Sequence, residues 1–217
     1  MILLSKVVRS IARHLMAGEW QELRCSVHQL RTDAAMDPAG APAWIAQAML
    51  ISGEDHRFFQ HGGIDVAAVC RAVWRGGVLK RREGASTIEM QLVRVLTGRY
   101  ERTVRRKIHE AWFATLLSEA VPKSEIPGLY LRVAYYGTRM EGYLRACNQL
   151  GLRPSDMSIR QAASLVARLK YPEPATCSER VTKLIEFRTA HLMRLHARHL
   201  ETQAYHGLQR GIDYATI

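Results

Sequence analysis

Three features that would assign a chain to a class at once are missing from this sequence. Its four cysteines lie far apart and none belongs to a C-x-x-C pair, so neither a structural zinc site nor a disulfide framework is indicated. No apolar run reaches the roughly 18 residues of an ordinary transmembrane helix. Strand-like alternation of apolar and polar residues is nearly absent. The remaining pattern is helical almost throughout, so we predict an all-α fold.

Composition divides the chain into three parts. The breaker-rich stretch 33–42 separates an N-terminal helical extension, residues 1–42, from a domain at 43–202, and a polar tail that we expect to be frayed follows at 203–217. Residues 2–16 combine one apolar helical face with basic residues. This pattern is typical either of a helix on a membrane surface or of a helix that packs on its own domain. The segment lacks the ordered regions of a signal peptide.

Basic residues clearly exceed acidic ones. The chain has 31 Lys and Arg against 20 Asp and Glu, a net charge of +11, and much of the surplus lies between residues 75 and 107. Such an excess indicates an anionic partner, either nucleic acid, a phospholipid surface or a phosphorylated substrate. The alternative is a solvated basic face.

Caps and breakers predict where individual helices begin and end. Cys70 and Cys147 fall on apolar helical faces, so both thiols are predicted to be buried. The predicted signals are, in chain order, a helix over 43–51, a helix capped by Asp65 and stopped by Gly76-Gly77, a mobile basic loop at 78–85 with a short extended piece at 78–81, a capping box of Ser86 with Glu89, a helix end at Gly98, a helix start at Thr103, and a capping box of Ser158 with Gln161.

The densest group of titratable residues lies at 54–61, Glu-Asp-His-Arg-Phe-Phe-Gln-His. A carboxylate beside apolar rings has a raised pKa and can accept a proton near neutral pH, which makes Glu54 a candidate general base. The alternatives are an ion pair of Glu54 with a nearby Arg, a cap at Asp55, a histidine at 61 whose hydrogen bonds are satisfied within the protein, and core positions for Phe58 and Phe59.

Two further clusters follow along the chain. Thr87, Gln91 and Arg94 are spaced four and three residues apart, which places a hydroxyl, an amide and a guanidinium on one face of a helix. Further on, Arg106 or Lys107 lies within one turn of Glu110, so this second acid is expected to stay ionised. Two carboxylates in different environments, joined by cation-bearing helices, suit displacement at a sugar carbon that carries a phosphate leaving group.

The three clusters together resemble the motifs of glycosyltransferase family 51, the peptidoglycan glycosyltransferase (transglycosylase) module of bifunctional penicillin-binding proteins and of monofunctional enzymes. Several linked motifs in register are far more specific than one alone. The first motif, Glu-Asp-x-x-Phe-x-x-His-x-Gly, matches at 54–63; the second, Gly-Gly-Ser-Thr-Ile-x-x-Gln-Leu-x-Lys, matches at 84–94 except for Ala85 and Arg94; the third, Arg-Lys-x-x-Glu-Ala, matches at 106–111; Lys123, Ile126, Tyr130, Leu131 and Gly137 agree with the fourth; and 161–172 resembles the last.

The resemblance covers roughly residues 43–195 and implies a lysozyme-like helical lobe with a small mobile lobe, around 66–82, that faces the membrane. The implied reaction polymerises lipid II into glycan, with inversion at the anomeric carbon and release of undecaprenyl pyrophosphate. Glu54 is then the general base and Glu110 the second catalytic carboxylate, on the donor pyrophosphate side. The implied substrate-binding residues are Asp55, Phe58, His61, Ser86, Thr87, Gln91, Arg94, Arg106 and Lys107.

The resemblance also implies the surroundings of the reaction. A divalent cation such as Mg²⁺, with Glu110 as its candidate ligand, would share the leaving-group charge, and no organic cofactor is expected. The implied partners are lipid II, undecaprenyl-pyrophosphate-linked glycan, the membrane surface and other cell-wall synthesis proteins, with no nucleic acid. The implied location is the periplasmic face of a bacterial inner membrane.

Departures from the fourth motif keep alternatives open. Gly128 stands where the family has Glu, Arg132 where it has Asn, and Pro127 where it has Leu. These changes threaten the local helix first, and they allow a degenerate member that binds lipid-linked saccharide without polymerising it. A lysozyme-like glycan hydrolase also uses two acids. A basic nucleic-acid binder would explain the charge, but not the order of the motifs.

Overall fold

A computed structural model describes residues 16–79, 86–176 and 178–208. Within these ranges the chain forms nine α-helices and one short 3-10 helix, and the only β-structure is two isolated bridges. The predicted all-α class is therefore confirmed. The α-helices are α1 Ala17–Met36, α2 Trp44–Glu54, α3 Val66–Leu79, α4 Ile88–Thr97, α5 Val104–Ala120, α6 Ile126–Val133, α7 Tyr143–Gln149, α8 Ile159–Lys170 and α9 Glu179–Glu201, with the 3-10 helix at Phe58–Gln60.

Helix α2 lies at the centre of the fold and packs against α6, α8 and α9. Its sequence is apolar on every side, and Met49, Leu50 and Ile51 are fully buried. A helix that is apolar all round is stable only inside a protein, and each of these side chains contributes about 1.5–3 kcal/mol of burial free energy. Since α2 ends at Glu54, the first acidic motif lies where the core meets the surface.

Helices α4 and α5 form the other half of the site and pack against each other, and α4 also packs against α6. Helix α1 belongs to the same core, because its Leu23 and Val27 are buried with residues of α4 and α5. Residues 1–15 lie outside the described ranges. Among the described residues, no helix combines the length and apolar character that crossing a bilayer requires.

The predictions around α3 were partly wrong. The helix runs through Gly76-Gly77 to Leu79, so the glycine pair does not stop it and Val78 is not extended. A glycine costs a helix interior only about 1 kcal/mol relative to alanine, which neighbouring turns can offset. The rest of the expected basic loop, residues 80–85, lies outside the described residues. Cys70 is exposed on this helix, whereas Cys147 is buried as predicted.

Most predicted caps are found, with one displaced. Thr103 caps α5, the Ser158–Gln161 capping box opens α8, and Gly98 ends α4 with a positive φ of 64°. The box predicted at Ser86 with Glu89 is wrong, because the N-cap of α4 is Thr87, whose side chain accepts from the amide of Met90. Glu89 faces the core instead of reaching back to the cap.

The stretch 203–208 packs on the domain, whereas the sequence indicated a frayed end. Tyr205 and Leu208 are buried members of the core. The Tyr205 hydroxyl bonds to Ser52 on α2 and to Nδ1 of His196 on α9. Fraying was predicted from the polar composition of this stretch, but burial of the Tyr205 ring and the hydrogen bonds of its hydroxyl hold the stretch on the domain. Residues 209–217 lie outside the described ranges.

The altered fourth motif still forms a helix. Pro127 lies in the first turn of α6, where its missing amide hydrogen is not needed. Gly128 has no atom nearer than 3.5 Å to the position of an added Cβ, so the local packing does not require glycine there. Arg132 donates to the carbonyls of Ala34 and Asp37 and joins α6 to the end of α1.

Candidate active site

Glu54 is placed at an edge that solvent can reach. Its side chain is 22% exposed, and Oε1 accepts a hydrogen bond from Nη2 of Arg188 at 3.0 Å. Oε2 lies 3.5 Å from Nε2 of Gln91. The aromatic surroundings expected for this acid are replaced by a guanidinium and an amide. The ion pair weighed as an alternative role is therefore present, with Arg188 of α9 as the partner.

Asp55 and His61 face inward behind Glu54. Nε2 of His61 lies 3.1 Å and 3.0 Å from the two oxygens of the Asp55 carboxylate, and the amide of Ile88 donates to Asp55 over 3.3 Å. Both side chains are nearly inaccessible. They join the turn after α2 to the start of α4, so they hold the site together rather than line it.

Phe58 is also a core residue in this arrangement. Its ring is fully buried, and Nζ of Lys123 lies 4.0 Å from the ring centroid. Gly63 completes the turn with a φ of +94°, and a Cβ there would lie 2.3 Å from the carbonyl oxygen of Ala114. Only glycine allows this approach to α5. The fixed positions of the first motif thus serve the shape of the turn, except for Glu54.

Of the polar residues predicted to share one face of α4, Thr87 points into the protein. It is buried, its hydroxyl donates to the carbonyl of Gly63 at 2.7 Å, and it accepts from the amide of Met90. Ser86 precedes the cap and is half-buried. Thr87 therefore links the first two motifs through hydrogen bonds within the protein.

Gln91 and Arg94 do lie where they connect the two acidic groups. The Tyr130 hydroxyl donates to Oε1 of Gln91 at 2.8 Å, which turns the amide nitrogen toward Glu54. Burial, and next the charge of Glu54, raise the pKa of Tyr130, so its hydroxyl stays a proton donor. Tyr130 was matched to a family motif, but its role in orienting Gln91 was not predicted.

Glu110 is fully buried and held by two guanidinium groups. Arg94 contacts it with Nε at 2.7 Å and Nη2 at 3.0 Å, and Arg106 pairs with it from one turn earlier on α5. The hydrogen bond to Glu110 raises the pKa of Arg94. Arg106 contacts this acid as predicted, but the second cation is Arg94 and not Lys107. Lys107 is exposed and has no ion-pair partner among the described residues.

Neither Glu110 nor the cluster of Asp55, His61 and Glu89 is arranged to bind a divalent cation. Both oxygens of Glu110 already bond to guanidinium groups in a fully buried pocket. Asp55, His61 and Glu89 offer one ligand atom each within 4.8 Å of one another, but Lys123 pairs with Glu89 and His61 bonds to Asp55. The divalent cation that the family resemblance implies therefore stays a prediction.

Two contacts of this region had no signal in the sequence. Glu89 is fully buried and pairs with Lys123, which also lies against Phe58. Burial raises the pKa of Glu89, while the Lys123 charge opposes that rise. Arg188 approaches Glu54 from a position 134 residues further along the chain. Helical spacing reveals neighbours one turn apart, and these partners meet only through tertiary packing.

Comparisons with known proteins agree with the motif order. A family model described as Transglycosylase matches residues 24–196. The chain is 32% identical over 170 residues to a biosynthetic peptidoglycan transglycosylase of Xanthomonas euvesicatoria pv. vesicatoria. The aligned stretch covers 74% of this chain and 65% of that protein.

Two further relatives resemble a shorter stretch. A biosynthetic peptidoglycan transglycosylase of Aeromonas hydrophila subsp. hydrophila is 32% identical over 137 residues, with 59% of this chain and 58% of the relative covered. A penicillin-binding protein 1A of Neisseria flavescens is 34% identical over 133 residues, 59% of this chain but 16% of the relative. The chain thus spans less than two thirds of each of these relatives.

Proposed function

Because the chain belongs to the transglycosylase family, we propose that it is a peptidoglycan glycosyltransferase, which extends a glycan strand with lipid II and releases undecaprenyl pyrophosphate. The observation that carries this proposal is the placement of the two acids. Glu54 remains 22% exposed at the end of α2, whereas Glu110 is wholly buried between two guanidinium groups. One carboxylate is open to a substrate and the other holds cations in place.

The proposed reaction begins with proton abstraction by Glu54. The 4-hydroxyl of the acceptor N-acetylglucosamine loses its proton to the carboxylate as its oxygen attacks the anomeric carbon of the donor. The new C–O bond forms as the bond between that carbon and the pyrophosphate oxygen breaks, and the pyrophosphate leaves with the electron pair. Attack from the face opposite the leaving group inverts the anomeric centre.

Cations beside the donor would stabilise the charge on the leaving group. Lys107 is exposed and makes no ion pair in the described part of the chain, so its ammonium is available to a phosphate. Arg94 is partly exposed and is held in one orientation by Glu110. Glu110, being inaccessible, acts in this proposal by positioning Arg94 and Arg106 rather than by contacting the substrate.

Helix α3 offers a surface for the lipid part of the substrate. Val66, Val69 and Trp74 are exposed on this helix, with Trp74 at 61%. Exposed apolar side chains on an amphipathic helix are typical of a contact with the membrane interface. We propose that this contact lies at the periplasmic face of a bacterial inner membrane, where other cell-wall synthesis proteins would be neighbours.

The geometry favours transfer over hydrolysis of preformed glycan. A hydrolase needs a protonated acid near the departing sugar oxygen. Both oxygens of Glu110 accept from guanidinium groups in a fully buried position, so this acid does not face a departing sugar oxygen. The fourth-motif departures, which suggested a degenerate binder, leave α6 intact from Ile126 to Val133.

The test is incubation of purified protein with labelled lipid II in detergent, followed by separation of the products by size. We expect polymeric glycan. Shortening of preformed glycan would identify a hydrolase, and lipid II binding without polymer would identify a degenerate binder. Either of these results would overturn the proposed function.

A further inference from the structure

We propose that Arg188 is a positioning residue that holds one oxygen of Glu54 and leaves the other to accept the proton. This inference rests on the proposed function. Arg188 lies on α9 and is 9% exposed. Its position matches none of the motifs that single out the residues near Glu54, Thr87 and Glu110.

The Arg188 guanidinium is fixed at two points of one short segment. Nη2 donates to the carbonyl oxygen of Gly53 at 2.7 Å and to Oε1 of Glu54 at 3.0 Å. A backbone carbonyl in the last turn of a buried helix cannot move independently of the core. The guanidinium therefore holds the carboxylate in a defined position relative to α2.

Gly53 allows this close approach. A Cβ added at Gly53 would lie 2.4 Å from Cδ2 of Leu192 and 3.0 Å from Nη2 of Arg188. The first distance is far below van der Waals contact, and the second is tight. Replacement by alanine would therefore displace Arg188 or Leu192 without changing any group that contacts a substrate.

The two oxygens of Glu54 differ in their environment. Oε1 has a charge-assisted bond to Arg188, whereas the distance from Oε2 to Nε2 of Gln91 is 3.5 Å, at the limit for a hydrogen bond. Oε2 thus keeps a lone pair for an incoming hydroxyl. The proton of the acceptor 4-hydroxyl passes to Oε2 as the sugar oxygen bonds to the anomeric carbon and the bond to pyrophosphate breaks.

The experiment compares lipid II polymerisation by the wild type, Arg188→Met, Arg188→Lys and Gly53→Ala. Since misplacement of a reacting group by about 1 Å can cost about 100-fold, we expect kcat to fall about 100-fold in Arg188→Met and KM to change less than about twofold. Arg188→Lys keeps a donor and should recover about tenfold of that loss. Gly53→Ala should lower kcat in the same way.

Arg194→Met is the matched control, because Arg194 lies on the same helix and is exposed. It should polymerise lipid II like the wild type. Circular dichroism and thermal melting identify variants that fold, and Arg188→Lys and Gly53→Ala carry the test if Arg188→Met does not fold.

Three results would count against the inference. Unchanged kcat in folded Arg188 and Gly53 variants would overturn it and leave the proposed function standing. A rise in KM without loss of kcat would also overturn it, because it would indicate a role in binding. A wild-type protein that forms no polymer would overturn the proposed function and this inference with it.

Discussion

Arg94 and Glu110 form a two-point ion pair across the facing helices α4 and α5, with Nε to Oε1 at 2.7 Å and Nη2 to Oε2 at 3.0 Å. The sequence assigned the first residue to substrate binding and the second to catalysis. In the structure each determines the orientation of the other. The pair also ties the second motif to the third, so a change at either residue affects both helices.

Removal of the Arg94 guanidinium should destabilise the protein. Arg94→Met leaves the buried Glu110 with Arg106 as its one cation in the described part of the chain, and breaking a buried pair costs about 3–5 kcal/mol. Because Arg106 remains, we expect a loss at the lower end, about 3 kcal/mol, measured as the free energy of unfolding in urea.

The control for this change is Arg99→Met. Arg99 pairs with Glu19 near the surface, where both side chains are more than a third exposed, so its removal should cost less than about 1 kcal/mol. Equal losses in the two variants would contradict the assignment of Arg94 to a buried ion pair.

A second buried pair, Glu89 with Lys123, provides a double-mutant test. Lys123→Met removes the ion-pair partner of the fully buried Glu89 carboxylate and should lower stability by about 3–5 kcal/mol. Adding Glu89→Met removes that charge and should restore most of the loss. The exposed pair Lys183–Glu179 is the control, and Lys183→Met should change stability by less than about 1 kcal/mol. A double variant as unstable as Lys123→Met would contradict the pairing.

Stability should fall as the pH is lowered below the ordinary histidine range. Burial lowers the pKa of His196 and of His199, and neighbouring charges add to the effect at His199. The unfolded chain, in which these histidines titrate near 6.5, then binds more protons than the folded protein. The contribution of these histidines to the free energy of unfolding is therefore fully present above pH 6.5. It is lost as the pH falls through their lowered pKa values in the folded protein.

His199→Asn tests this dependence. His199 Nδ1 lies 3.1 Å from the Ser52 hydroxyl, and the asparagine amide can replace that contact without titrating. We expect a smaller loss of unfolding free energy between pH 7 and pH 5 than in the wild type. His28→Asn, at an exposed position of α1, should leave the dependence unchanged. If the unfolding free energy of His199→Asn depended on pH as steeply as that of the wild type, burial of His199 would not be the cause of the dependence.

The cysteines should differ in reactivity. Burial raises the pKa of Cys147 to about 11, whereas Cys25 and Cys70 are exposed. Because the thiolate is the nucleophile, iodoacetamide should modify Cys147 at least about 100-fold more slowly than Cys70 at pH 8. Peptide mass spectrometry measures both rates, with urea-denatured protein as the reference. Equal rates in the native protein would contradict the placement of Cys147.

Local signals in the sequence predicted much of the helical framework. Thr103, Gly98 and the Ser158–Gln161 box mark helix ends where they were expected, because capping depends on nearest neighbours. Gly76-Gly77 was wrongly predicted to end a helix, because low helix propensity at two positions does not prevent a helix that the neighbouring turns stabilise. Tyr205 was missed because its burial depends on Ser52 and His196, far away in the sequence.

The sequence predicted which motif residues form the site, but not how their side chains are arranged. Motif matches predicted Glu54, Gln91, Arg94 and Glu110 as site residues, and the structure joins them in two pairs, Gln91 with Glu54 and Arg94 with Glu110. The direction in which each side chain points was not predictable. The spacing of Thr87, Gln91 and Arg94 predicted that all three lie on one helix face. Thr87 instead faces inward, because it is the N-cap and its backbone is extended rather than helical.

The remaining partners of the site come from distant segments. Arg188 and Tyr130 reach Glu54 and Gln91 only after α6 and α9 pack around α2 and α4. No spacing within one helix indicates such a meeting, so these contacts require the packed structure.

The central claim is that Glu54 is the base, and the rate of lipid II polymerisation by Glu54→Gln tests it most directly. The amide keeps the shape but cannot accept the proton, so we predict a fall of about 100-fold to 10,000-fold with the fold retained. Glu186→Gln, on an exposed acid of α9, should be as active as the wild type. Polymerisation by Glu54→Gln at the wild-type rate would contradict the account.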